Sequence, residues 1–91
     1  MSVTIFVPGP LREHCEGKRT LHSEAQSVRS ALEEIEAHYP SLYSGVCDET
    51  GAVRRHINIF VNTLNMRDRE GLDTALVPGD EVTILPSVSG G

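Results

Sequence analysis

A chain of 91 residues with two Tyr, two Phe and no Trp has material for one domain with one modest, mainly aliphatic core. A net charge of −5, with eight basic residues that form no stripe, argues against nucleic acid as a partner. No apolar run approaches the roughly 20 residues of a bilayer span. The N-terminal segment also lacks the basic flank of a secretory signal, so a cytoplasmic protein with no membrane partner is expected.

Ser2 to Val7 alternates, with Val3, Ile5 and Val7 on one face and Ser2, Thr4 and Phe6 on the other, which predicts a strand with one buried face. The "PGPL" that follows breaks it. A weaker extended stretch at Lys18–Ser23 suits a sheet edge. From Ser27 to Tyr39, Val28, Ala31, Leu32, Ile35 and Tyr39 make a helical stripe, with Arg29, Glu33, Glu34 and Glu36 outside. Ser27 is the first choice of N-cap, and Ser23-x-x-Gln26 offers a capping box one turn earlier. Pro40 ends the helix, because a residue before proline avoids the α region.

Ser41–Arg55 reads as a loop turning at "DETG". His56–Asn62 alternates again, Ile57, Ile59 and Val61 inward, with Phe60 among the outward residues. Thr63–Met66 reads as a short edge strand and "GLDTAL" as one helical turn. Val77-Pro78-Gly79-Asp80 carries Pro and Gly where a type II turn wants them. Glu81–Pro86 is the last strand, with Val82 and Ile84 inward and Thr83 and Leu85 outward. One long helix against a mixed sheet is a two-layer α+β domain. Residues 1–86 are expected to form it, and residues 87–91 a flexible tail.

Cys15 and Cys47 show no C-x-x-C and no His at ligand spacing, so no metal site is expected. His14 beside Cys15 does not make an activated thiol, since adjacent residues of an extended chain point apart. The tail "SVSGG" is more informative. Gly90 and Gly91 lack Cβ atoms and permit close backbone approach, and Ser87, Val88 and Ser89 are small enough to follow them into a narrow channel.

"VTIFVPGPLRE", "SVRSALEEIEAHYP", "HINIFVN" and "GLDTALVPGDEVTILPSVSGG" together resemble the ubiquitin-like sulfur carriers of the MoaD/ThiS family over essentially the whole chain. The terminal block is the most specific part. The resemblance implies a β-grasp fold with strand order 2-1-5-3-4. It also implies that the Gly91 carboxylate, next to Gly90, is adenylated by a ubiquitin-activating-like enzyme and then converted to a thiocarboxylate. ATP is used by that partner, and no cofactor is bound by the chain itself. In the implied strand order Phe6, Phe60 and Leu85 lie on neighbouring strands near the root of the tail. They are the candidate docking patch, with Ser87, Val88 and Ser89 following into the partner.

The length, the insertion "CDETGAVRR" and the "ILPSVSGG" ending look closer to carriers for cysteine synthesis and sulfur-containing natural products than to thiazole-forming carriers. The partners implied are an adenylating enzyme, a sulfur-accepting biosynthetic enzyme and a zinc-dependent hydrolase that releases product. The chain would then be a co-substrate rather than an enzyme. The alternatives are the small subunit of molybdopterin synthase and a ubiquitin-like protein modifier. Lys18 is the only lysine, which disfavours chain-forming polymers. A thiol enzyme built on Cys15 ranks last, for want of a base.

Overall fold

The computed structural model describes residues 2–87; the expectations placed on Val88, Ser89, Gly90 and Gly91 lie outside the described residues. Among those described, five strands form one mixed sheet in the order β2-β1-β5-β3-β4. They are β1 (Val3–Phe6), β2 (Thr20–Ser23), β3 (Ile57–Val61), β4 (Leu64–Asn65) and β5 (Glu81–Pro86). The first and last strands run parallel at the centre, and the other neighbouring pairs are antiparallel. This is the ubiquitin-like β-grasp arrangement.

The inner face of the sheet is set by alternation. Val3 and Ile5 of β1, Ile57, Ile59 and Val61 of β3, and Val82 and Ile84 of β5 are all buried. Helix α1 (Val28–His38) lays Val28, Ala31, Leu32 and Ile35 into the same core. Each Val, Leu or Ile side chain among them contributes about 1.5–3 kcal/mol when fully buried. The helix begins where its cap says it should. Ser27 Oγ accepts from the Ser30 N–H at 3.1 Å, and Ser30 Oγ accepts in return from the Ser27 N–H at 3.2 Å. This reciprocal pair satisfies two otherwise orphaned donors.

Three sequence expectations need correction. The box at Ser23 and Gln26 is not formed; Ser23 Oγ instead donates to Glu34 Oε2 at 2.9 Å and accepts from the Ala25 N–H. Ser41–Arg55 is not all loop, because a second helix, α2, spans Pro40–Val46. Proline at its first turn loses no hydrogen bond and presets φ, so the residue that stops α1 starts α2. Leu42 and Val46, one turn apart, are both fully buried. Gly45 tolerates the close approach this requires: a Cβ there would lie 3.1 Å from Leu11 Cδ2. Finally, "PGPL" does more than break β1, since Gly9–Cys15 winds into a 3-10 helix that buries Cys15.

The turn before β5 forms as its residues demand. The Val77 carbonyl accepts from the Asp80 N–H at 3.0 Å, and Gly79 takes φ +95, which a type II turn requires. Its N–H reaches the Ser2 carbonyl, tying the turn to the start of β1.

Candidate functional site: the outer sheet face and the root of the tail

The same alternation that fills the core turns Phe6, Phe60 and Leu85 to the opposite face. Phe6 and Phe60 are half-buried and Leu85 is 44% exposed. Register places them more finely than their strands alone do. Thr83 pairs with Phe6 on one side and with Phe60 on the other, so the two rings flank it. Leu85 stands one pleat nearer the tail, opposite Asn58 of β3. Phe6, Pro8, Arg12, Thr83 and Leu85 line an open groove of about 410 Å³ along this face. A contiguous apolar surface of this kind marks a contact site more often than a folding requirement.

β5 leads straight from this face to the tail. Its continuation is held at Ser87, whose N–H and Oγ–H both donate to the His56 carbonyl, the latter at 2.8 Å. Ser87 is therefore tied to the entry of β3, although its side chain is exposed.

Two residues that no sequence pattern singled out also reach this end of the sheet. Arg12 Nε donates to the Val7 carbonyl at 2.9 Å. Arg67 donates to Asn58 Oδ1 at 2.9 Å and to the Ile57 carbonyl at 3.1 Å. They are 55 positions apart in the sequence, so no local window brings them together.

The thiols are placed for packing. Cys15 is fully buried and its Sγ donates to the Lys18 carbonyl at 3.4 Å. His14 turns instead toward Glu13, at 3.9 Å. Cys47 is buried, and burial pushes its thiol up from the ordinary cysteine value. Among the described residues there is no group of three or more His, Cys, Asp or Glu that could hold a metal. No helix among them is long and apolar enough to cross a membrane. Lys18 is exposed and donates to the Tyr39 hydroxyl at 2.9 Å, an interaction that holds its ammonium above the ordinary lysine value.

Compared with known proteins, residues 5–91 match the ThiS family model. The chain belongs to the ThiS family. It is similar to the sulfur carrier protein CysO of Mycobacterium tuberculosis, at 36% identity over the full length of both chains. The crystal structure of that CysO superposes with a TM-score of 0.87, at 34% identity, over 94% of this chain and 99% of that one. The Amycolatopsis orientalis BexX/CysO complex contains a chain that matches with a TM-score of 0.89 and 30% identity, over 98% and 99% of the two chains. Haloferax volcanii SAMP1, a small archaeal modifier protein, matches with a TM-score of 0.82 and 30% identity over all of both chains. The ThiS-family match covers the outward strands and the tail alike, so the described face and the Gly-Gly end fall in one family frame.

Proposed function

We propose that this protein is a sulfur carrier whose Gly91 carboxylate is the reactive group. A carboxylate is a poor acyl electrophile. Attack of its oxygen on the α-phosphate of ATP gives an acyl adenylate and releases pyrophosphate. Sulfide, delivered by a donor, then displaces AMP and leaves a thiocarboxylate on Gly91. That sulfur is a soft nucleophile, suited to attack an electrophilic intermediate held by a biosynthetic enzyme. The acceptor we favour lies on the route to cysteine or to a sulfur-containing metabolite, with the carrier regenerated after hydrolytic release by a zinc-dependent enzyme. The protein is consumed and remade in each cycle, and its partners supply the catalytic groups.

The observation that carries this reading is the continuity of β5 with the tail. One strand bears Leu85 and Thr83 on the free apolar face and passes directly to the anchored Ser87. A partner gripping Phe6, Phe60 and Leu85 would thereby be positioned to receive Val88, Ser89, Gly90 and Gly91. Similarity to CysO, and to a CysO chain in complex with BexX, supports the same reading. Ordering the tail in a channel costs about 1–2 kcal/mol per residue of backbone entropy, which the face contacts would offset. A synthetic tail peptide alone should accordingly be a very poor substrate.

The test is intact-mass analysis after incubation with an adenylating enzyme, ATP and a sulfur donor. One oxygen should be exchanged for sulfur, on the last residue. Removing Gly91, or adding one residue after it, should abolish the exchange and leave the melting curve unchanged. No exchange with several competent adenylating enzymes would sink the proposal.

Similarity to SAMP1 favours a second reading, that of a protein modifier joined through Gly91 to lysines of other proteins. The two readings share chemistry up to the adenylate. Recovery of the chain from cells mainly in isopeptide linkage would replace the first with the second.

A further inference from the structure

Among the described residues Arg29 makes an ion pair with Asp73, and His14 lies 3.9 Å from Glu13. Arg12 and Arg67 are in neither contact. In a chain with 13 acidic residues, both guanidinium groups are instead held by neutral oxygens. Arg12 is fixed by the Val7 carbonyl; Arg67 is fixed by Asn58 Oδ1 and the Ile57 carbonyl. Arg67 also reaches the Arg54 carbonyl at 3.5 Å. Such contacts orient a guanidinium without neutralising it, and a guanidinium carries five N–H donors.

Their positions are as informative as their partners. Arg12 lines the outer groove beside Pro8 and Leu85, on the β1 flank. Arg67 comes from the short helical turn after β4 and is bound to Asn58, the residue paired with Leu85. The two cations therefore bracket Leu85 from opposite flanks, at the end of the face that meets Ser87. Glu81, also on the groove, sits at the other end of β5, beyond Thr83. Along this face Arg12 and Arg67 lie toward Ser87, and Glu81 lies away from it.

We infer that Arg12 and Arg67 form a charge bracket that recognises an acidic protein partner, one that places an apolar side chain against Leu85 and a carboxylate on each side of it. This rests on the docking face proposed above and names the chemistry of its occupant. The occupant is a folded protein surface because the bracket encloses an apolar patch, whereas a free anion gains nothing from Phe6, Phe60 and Leu85. A guanidinium fork fits a carboxylate with two parallel hydrogen bonds, and arginine is enriched in interface cores and hot spots. Because the carrier as a whole is acidic, a uniformly acidic partner would be repelled elsewhere. The bracket supplies attraction only where the tail leaves, which would align the encounter.

The experiment uses an adenylating enzyme that converts the wild-type chain to its thiocarboxylate. Pyrophosphate release is measured against carrier concentration at several ionic strengths. The variants are Arg12→Glu, Arg67→Glu and their combination, with Arg29→Glu on α1 as a charge-reversal control. Each bracket reversal should raise KM for the carrier about tenfold or more and leave kcat within about twofold. Wild-type KM should climb with salt, and the double variant should lose that slope. Arg12→Lys and Arg67→Lys, which keep the charge without the fork, should keep the slope with an intermediate KM. They also decide the matter if Arg67→Glu lowers the melting temperature. A double variant matching Arg29→Glu, or a raised KM with the wild-type salt slope intact, overturns the bracket alone. Lysine variants without the slope overturn it too. A wild-type chain that no adenylating enzyme accepts sinks the carrier reading and the bracket with it.

Discussion

The two faces of the sheet are built from the same strands by the same alternation, yet only one of them is finished. On the inner face Ile5, Ile59 and Ile84 are capped by α1 and no more than 2% exposed. On the outer face Phe6 and Phe60 are only half-buried and Leu85 is exposed, and among the described residues Arg12 and Arg67 are in no ion pair. Folding is satisfied by the first face. The second holds bulky apolar side chains and uncompensated charge that folding does not explain, and it is the face continuous with the tail. Within one domain, a surface left incomplete in both packing and charge is a sign of work done with another molecule.

Adjacent residues of β3 test this division most sharply. Ile59→Ala should cost about 3 kcal/mol of stability, in the range for truncating a buried isoleucine, read from denaturant unfolding. Any partner affinity measured on the folded fraction should be unchanged. Phe60→Asp should do the reverse. Affinity for an adenylating enzyme should fall by about 2 kcal/mol or more, as for a buried aromatic anchor. The melting curve should move little, since substitutions outside the core usually cost under about 1 kcal/mol. If Phe60→Asp unfolds the domain, the outer face is part of the core after all and the contrast collapses.

Ser27→Ala should remove about 1 kcal/mol of stability through loss of the helix cap. It acts on the inner layer only, so carrier KM with a competent enzyme should stay at the wild-type value. The smallest effect concerns Asp48, which belongs to neither face. Hydrogen bonds from the Thr50 hydroxyl and N–H hold its carboxyl below the ordinary value. A group depressed in the folded state stabilises it above the unfolded pKa, and that contribution fades as pH falls through the ordinary carboxylate range and below. Asp48→Asn should therefore be slightly less stable than wild type at pH 7, with the difference shrinking in acid. Thermal melts across that range check the sign.

Much of the fold was legible because its signals are local. The stripe of α1, the alternation in β1, β3 and β5, and the Pro-Gly turn each lie within a few residues. Helix α2 is hidden from a local reading because Pro40 carries two meanings, an end for the helix before it and a start for the one after. Leu42 and Val46, four apart, were the available signal, and Gly45 between them concealed it. The faces of Phe6, Phe60 and Leu85 could be read from alternation, but Thr83 standing between the two rings could not. That depends on register across strands distant in sequence. Arg12 and Arg67 were illegible for the same reason. In the sequence they are two of eight scattered basic residues; only the sheet brings them to opposite sides of Leu85.

The central parallel pair has a consequence for how the molecule comes into being. β5 is the last strand in order, yet it lies between β1 and β3 and supplies Val82 and Ile84 to the core. Pairing it with β1 closes a loop that spans most of the chain, a contact of high sequence separation that slows folding and leaves little for a partial chain to gain. A nascent chain lacking β5 would have a split sheet and an open core. The tail, translated after β5, can thus be displayed only on a domain that is already complete. A chain that stops before β5 lacks Thr83 and Leu85 of the outer face as well as Gly90 and Gly91, so under the proposed reading it would not compete for the partners of the full chain.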